Sequence, residues 1–388
     1  MNWDDFTADA ATDTGMRRNN NQDGHALVRA LTPEAWRARG HLFMVADGMG
    51  AHAVGELASK LACDNIPHNY RKSKSGTPVE AITKAYREVA AIIHGKASAN
   101  RDFQGMGTTC STLLLLPAGA LIAHVGDSRV YRARDGRMDQ LSFDHSLMWE
   151  LIRRKHLTSD HDLRDVPRNV ITRSLGPDPT VEVDIEGPMP VEPGDAFLIC
   201  SDGLSGPVTD PELGAFAGAF GPGDACRYLL NLANLRGGLD NITVLIVRIG
   251  PWSDPDAPAE SAQAAPAAEA NGHSKGRAIG QALVGLFAKK GAKVEPEAPR
   301  EPYRSCLAPI DNALMHGCDE AIRKAQAQAV EQSWSLDWTA LAVHRRRAIE
   351  LQAAGEPRLA LRMLGEAIVM LGLAGRLHKK QGSAPSSR

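Results

Sequence analysis

Four short segments set an aspartate beside glycine or asparagine after an apolar run. They are Val45-Ala46-Asp47-Gly48-Met49-Gly50, His124-Val125-Gly126-Asp127-Ser128-Arg129, Ile199-Cys200-Ser201-Asp202-Gly203 and Leu239-Asp240-Asn241-Ile242-Thr243. Carboxylate oxygens joined by a backbone carbonyl are hard ligands, suited to Mg²⁺ or Mn²⁺ rather than to zinc. Acids at strand ends would project at a sheet rim while the strand bodies stay rigid, and a neighbouring glycine lets backbone approach a ligand. Taken singly, an Asp-Gly pair is an ordinary turn. Turn chemistry does not explain why the acid follows the strand instead of sitting in mid-loop. Two metals bridged by one carboxylate are a solution for hydrolysing phosphate esters. A further segment, Gly15-Met16-Arg17-Arg18-Asn19-Asn20-Asn21-Gln22-Asp23, adds a cation. An arginine fork pairs bidentately with phosphate oxygens, although arginine and asparagine also occupy plain polar loops.

The elements that must position these residues are legible in the first 250 residues. Strand-like runs occur at Leu42–Val45, Thr112–Leu116, Leu121–Val125, Ala196–Cys200 and Ile242–Ile249. Pro117-Ala118-Gly119-Ala120 joins the second and third as a hairpin. Arg134-Asp135-Gly136-Arg137 marks another hairpin, between Val130–Ala133 and Met138–Leu141. Helical stretches cover about 54–70 and 78–98, the second opening on Thr77-Pro78 with proline at the first helical position. Helices clustered between hairpins predict an α+β fold: a central antiparallel β-sandwich flanked by helices in α-β-β-α layers, with an all-α tail behind it. Strict β-α-β alternation is absent, which argues against a doubly wound parallel sheet.

In order and spacing these segments resemble the PPM family of protein phosphatases, the protein phosphatase 2C type, over about residues 8–250. The resemblance rests on Arg18-x-x-Asn21-Gln22-Asp23, Asp47-Gly48-Met49-Gly50, Gly105-Met106-Gly107-Thr108-Thr109, Gly126-Asp127-Ser128-Arg129, Ser201-Asp202-Gly203 and Asp240-Asn241. Asp-Gly-Met-Gly is similar to the bacterial branch. The resemblance implies metal-dependent hydrolysis of phosphoserine and phosphothreonine in proteins, opposing Ser/Thr kinases in signalling. It implies that Asp47 bridges two Mn²⁺ or Mg²⁺ ions and that Gly48 offers its carbonyl to one of them. Asp202 and Asp240 would complete the other, and Asp127 and Asp202 would hold a third, weaker ion. Arg18 would bind the substrate phosphate, and a metal-bridging water would attack phosphorus in line, without a cysteine nucleophile. Arg18, Asp47 and Asp202 are thus the expected catalytic residues. Asp23, Asp47, Gly48, Asp127, Asp202 and Asp240 are the expected metal ligands.

The chain departs from the family pattern in places. Gln22 stands where many members have Glu, with Asp23 remaining as an acid. Met49 stands where eukaryotic members have a histidine that serves as candidate general acid, which makes His52 a weak substitute. Ala51 stands where Gly is common. Residues 142–175, with Asp144-His145-Ser146, a helical run to His156 and Asn169–Gly176, resemble the family's flap bordering the site; they read equally as connecting structure.

Composition narrows the remaining classes. The 388 residues are 43% hydrophobic and 23% charged, with a net charge of −2. That is ordinary globular composition, with no basic field for nucleic acid. The six cysteines show no metal-binding or disulfide pattern and read as reduced thiols. No apolar run reaches the ~18–20 residues of a membrane helix, and the acidic N-terminus is not a signal peptide, so a cytoplasmic location is expected. Neither Gly-x-Gly pair, at 48–50 or 105–107, forms a dinucleotide loop.

Behind the expected catalytic domain, 1–250, residues 253–303 read as an Ala/Pro-rich linker. Within it, 277–293 form a short basic amphipathic stretch; a membrane-surface role would need a longer one, so it is read as a helix that docks on the body or forms transiently. Residues 304–377 lack strand signals and fit a single tetratricopeptide-like unit turning at Gly355-Glu356-Pro357, with 311–332 as a helical partner. That tail looks dispensable to catalysis; it is either a plain helical hairpin or a dock for another protein. Residues 381–388 read as loose. The alternative to an active enzyme is an inactive phosphatase-fold module that binds or regulates. A third reading makes the tail a scaffold and the phosphatase its effector.

Overall fold

The computed structural model describes residues 4–50, 54–73, 76–153, 167, 170–255 and 302–382. The chain runs β1 (Phe6–Asp13), β2 (Asp23–Val28), α1 (Pro33–Arg39), β3 (His41–Met49), α2 (Val54–Lys72), α3 (Pro78–Ala99), β4 (Gly107–Thr108), β5 (Cys110–Leu116), β6 (Gly119–Val125), β7 (Arg129–Arg134) and β8 (Arg137–Gln140). It continues through α4 (Leu147–Arg153), β9 (Asp184–Met189), β10 (Ala196–Cys200), α5 (Asp202–Ser205), α6 (Asp210–Ala219), α7 (Pro222–Leu235), β11 (Ile242–Ile249), β12 (Arg304–Leu307), α8 (Asn312–Glu331), α9 (Trp338–Ala353) and α10 (Pro357–Gly382).

Two antiparallel sheets form the centre, one ordered β1-β11-β10-β7-β8-β12 and the other β2-β3-β5-β6-β9, with β4 paired to β3. Period-two alternation divides each strand between two cores. In β3, Phe43 and Val45 join Phe197, Ile199, Leu245 and Val247 between the sheets. The intervening Leu42, Met44 and Ala46 face α2 and α3. In β10 and β11, Leu198, Cys200, Val244 and Ile246 turn outward to α6 and α7. Both faces of these strands are therefore covered, which is why they read in sequence as continuous apolar runs. Helix α3 starts on a capping box between Thr77 and Glu80 and buries Ile82, Tyr86, Val89 and Ile93 at helical spacing. The buried Tyr86 hydroxyl is satisfied by donating to the Ala123 carbonyl at 2.8 Å.

The expected α-β-β-α layering is thus present, but the chain beyond residue 300 differs from expectation in two respects. Residues 304–307, expected to be free of strand, form β12, which pairs antiparallel with β8 and extends that sheet. The last helix also runs past 377, to Gly382. The tail is not a separate bundle. Leu314, Ile322, Leu361, Leu364 and Ile368 share one continuous core with Phe216, Phe220, Tyr228 and Leu229 of α6 and α7. The amphipathic stretch 277–293, His52, Ala51, His156 and Asn169 lie outside the described residues.

Candidate active site

Antiparallel pairing carries the acids to one rim. In the second sheet the end of β3, the start of β2 and the end of β6 lie at the same edge, bringing Asp47, Asp23 and Asp127 there; Asp23 and Asp47 are direct cross-strand partners. In the first sheet the end of β10 and the start of β11 supply Asp202 and Asp240. Asp240 precedes its strand, contrary to the expectation that all four acids follow one. Its neighbour Leu239, taken as the tip of an apolar run, is 72% exposed.

Backbone and hydroxyl contacts fix Asp47 and Asp23. Thr109 Oγ1 accepts from the Asp47 N–H at 2.9 Å, while the Thr109 N–H and the Thr108 hydroxyl both donate to the Asp47 carbonyl at 2.9 Å. This is the work of the Gly107-Thr108-Thr109 segment. Ser201 donates its hydroxyl to Asp23 Oδ2 at 2.7 Å and accepts from the Thr243 N–H at 3.0 Å. Asn241 accepts from the Gln22 N–H at 2.8 Å and donates to the Thr14 and Asn20 carbonyls at 3.0 and 2.9 Å, tying the Arg18 loop to the acids. Arg18 Nη2 donates to Asp240 Oδ2 at 2.8 Å, with its side chain 53% exposed and free to meet a ligand on its outer side. Gly203 has no room for a side chain: a Cβ there would lie 1.9 Å from the Asn241 carbonyl oxygen.

The flap base is anchored behind Asp127. His145 Nδ1 accepts from the Gly126 N–H at 2.9 Å, so its Nε2 carries the proton and donates to Asp184 at 3.0 Å. His124 stacks on His145, and burial, with His145 beside it, pushes the His124 imidazolium down to about 3. These histidines are structural braces, and His145 belongs to the support of the site.

Electrostatically the rim is a cluster of acids in conflict. Burial, followed by the charges of Asp23, Asp202, Asp127 and Asp240, holds Asp47 well above the carboxylate range. Burial raises Asp202 too, with Asp240 adding to it, and Asp202 shares a hydrogen bond with Asp47. Burial pushes Asp23 up to about 7 against the opposing bonds from Ser201 and Thr243, and pushes Asp127 up to about 7 with help from Asp202 and Asp144. Asp23 Oδ1 and Asp127 Oδ1 are buried with no hydrogen-bond partner. A groove of about 560 Å³ leads from Asp127 and Asp202 past Arg129 and Asp210 to Arg304 of β12.

A family model described as Protein phosphatase 2C matches residues 17–224, more than half of the 388-residue chain. The chain belongs to the protein phosphatase 2C family. A putative protein phosphatase 2C-type of Streptococcus pyogenes serotype M6 is 34% identical over 240 residues, covering 61% of this chain and 94% of that protein. The PPM Ser-Thr phosphatase MsPP from Mycobacterium smegmatis, solved in complex with cacodylate, is similar in structure with a TM-score of 0.54 at 32% identity, covering 63% of this chain and 98% of that one. The catalytic domain of the serine threonine protein phosphatase PstP, solved in complex with 2 manganese ions, has a TM-score of 0.54 at 28% identity, covering 64% of this chain and 99% of that one.

The phosphatase chain brings all of Arg18, Asp23, Asp47, Gly48, Asp127, Asp202 and Asp240 to one rim. The acids fit divalent cations on this structure's own terms: buried carboxylates repel one another, and two of their oxygens lack any protein donor. Among the described residues, no three acidic, imidazole or thiol side chains stand together as a set that could hold a metal ion. Mg²⁺ does not need one, since it keeps several waters and binds through one or two carboxylates. Sequence reasoning missed the positioning roles of Thr109, Ser201 and His145, and it missed β12 as a groove wall. The two adjacent threonines were the available signal, since a hydroxyl run at a strand start beside an acid is a ready backbone clamp.

Proposed function

We propose that this phosphatase hydrolyses phosphoserine and phosphothreonine in protein substrates with two Mn²⁺ or Mg²⁺ ions, and with a third at a weaker place. The carrying observation is the meeting of five mutually repelling acids, Asp23, Asp47, Asp127, Asp202 and Asp240, at one rim. Asp23, Asp47, the Gly48 carbonyl, Asp202 and Asp240 would hold the two ions. Asp127 and Asp202 would hold the third. Bound divalent cations supply Lewis acidity and lower the pKa of water at the phosphorus centre.

The chain's own residues do the rest. Arg18 offers a planar donor fork to the non-bridging phosphate oxygens, and Asp240 orients that fork beforehand. Thr108, Thr109 and Asn241 fix the backbone of Asp47 and of the Arg18 loop, so little reorganisation is needed on binding. Cys110 and Cys200 are pushed up to about 12 by burial, which leaves them unreactive as nucleophiles. The groove toward Arg304 would receive the peptide flanking the phosphoresidue. None of the described helices is long and apolar enough to cross a membrane, and we place the enzyme in the cytoplasm, opposing Ser/Thr kinases.

Turnover of a phosphothreonine peptide that requires Mn²⁺ or Mg²⁺ and is lost in EDTA supports this reading. A folded, metal-supplied protein without turnover returns the chain to the class of regulatory modules. Helix α9 leaves Val343 and Ile349 exposed. The docking role expected for the tail is tested by whether Val343→Asp with Ile349→Asp slows turnover of a phosphoprotein while sparing p-nitrophenyl phosphate.

A further inference from the structure

The last helix reaches the phosphate-binding loop. Lys379 Nζ of α10 donates to the Gly15 carbonyl at 3.0 Å and to the Arg18 carbonyl at 2.7 Å. One turn earlier, Arg376 pairs with Asp13 at 3.4 Å and donates to Asn231 Oδ1 at 2.9 Å. Asp13 in turn accepts from the Gly15 N–H at 2.8 Å. The Gly238 carbonyl also accepts from the Met16 and Arg17 N–H groups, at 2.7 and 3.1 Å. The segment carrying Arg18 is therefore held both by the turn before β11 and by the end of α10.

The placement of Lys379 is fixed by how α10 packs. Gly365, Gly372 and Gly375 occupy a single face of the helix. A Cβ at these positions would lie 2.8 Å from the Tyr228 ring, 2.2 Å from Asn231 Oδ1 and 2.9 Å from the Trp334 ring. The missing side chains at Gly365 and Gly372 let α10 lie directly on α7, that at Gly375 makes room for Trp334, and Glu366 locks the register by accepting from Arg227 at 2.7 Å and from the Tyr228 hydroxyl at 2.6 Å. Residues 357–382 lie beyond the family match, which ends at 224. The relatives described above cover at most 64% of the chain.

We propose that Lys379 is a positioning residue for substrate phosphate: by holding the Gly15 and Arg18 carbonyls, it fixes the direction in which the Arg18 guanidinium leaves the backbone. The C-terminal helices are then part of the catalytic apparatus instead of an appendage. The proposal rests on the reading that Arg18 binds the phosphomonoester dianion. A bidentate fork is useful only when its origin is fixed, because a loose backbone spreads the two donors over many orientations. Lysine suits the task, since its ammonium has several donors and here serves two carbonyls at once.

The test uses the full chain with Mn²⁺ and compares wild type, Arg18→Ala, Lys379→Met, Lys379→Arg and the Arg18→Ala/Lys379→Met double variant. It reads kcat and KM for p-nitrophenyl phosphate, Ki for inorganic phosphate, and Tm. Lys379→Met is expected to raise KM and phosphate Ki by roughly three- to tenfold, the size of a lost charge-assisted hydrogen bond at a half-open site, with kcat changed less. Lys379→Arg restores most of the loss, and in the Arg18→Ala background Lys379→Met adds nothing further. A wild-type Ki in Lys379→Met, or an equal effect with and without Arg18, overturns the proposal. If Arg18→Ala itself leaves phosphate Ki unchanged, the reading of Arg18 fails and takes the proposal with it, a result distinct from failure at Lys379 alone.

Discussion

Asp127→Asn should make the metal-free protein more stable, although it damages the site. Burial and the neighbouring charges of Asp202 and Asp144 raise Asp127 from its ordinary 3.8 to about 7. The folded state therefore binds a proton that the unfolded chain has released between those two pH values, and its stability falls as pH rises through that window. Above about pH 7 the whole cost is present, about 4 kcal/mol at 1.36 kcal/mol per pH unit. The amide carries no charge, but its buried polar group still needs partners, which returns about 1 kcal/mol. In EDTA at pH 8 the variant should gain about 3 kcal/mol by urea denaturation, and at pH 5 the gain should shrink to under about 1 kcal/mol. With saturating Mn²⁺ the order should reverse, because the wild type gains binding free energy in the folded state that the variant cannot match. A variant less stable than wild type in EDTA at pH 8, or a gain that does not change with pH, would refute the electrostatic reasoning.

Other changes probe the supports of the site. Thr109→Val removes the acceptor of the Asp47 N–H and the bond to Ser128; we expect a loss of about 1–3 kcal/mol in stability and at least a tenfold fall in kcat, read by urea titration and steady-state kinetics. Gly203→Ala drives a methyl into the Asn241 carbonyl, so Mn²⁺ affinity measured by calorimetry should fall while the fold persists by circular dichroism. Arg304→Ala strips the far wall of the groove and should raise KM for a phosphopeptide several-fold without changing KM for p-nitrophenyl phosphate. Iodoacetamide at pH 8 should leave Cys110 and Cys200 unmodified in the folded protein, read by peptide mass spectrometry, since burial holds both thiols protonated.

Asp47, Asp127 and Asp202 were legible in the sequence because each sits beside glycine where an apolar run ends, and antiparallel pairing then leaves them little choice but a shared rim. The layered fold was legible for the same reason: strands covered on both faces keep every position apolar. Asp240 was misplaced relative to its strand because Leu239 looked like the end of a run, whereas it is an exposed loop residue. Strand β12 was hidden because Arg304-Ser305-Cys306-Leu307 has no apolar alternation. It is an edge strand made by the ladder to β8, where Ser305 donates to Asp139 at 2.6 Å. The tail's helices were visible at their 3.6-residue spacing, but not their docking on α7, because Gly365 and Gly372 signal close approach only once a partner surface is known.

The most direct test is hydrolysis of a phosphothreonine peptide by the full chain with Mn²⁺, with EDTA, and as Asp202→Asn with Mn²⁺. Turnover that appears with Mn²⁺ and disappears in both controls, with Asp202→Asn still folded, is the predicted result. Undiminished turnover in EDTA or in Asp202→Asn would contradict a metal-dependent centre built on these acids.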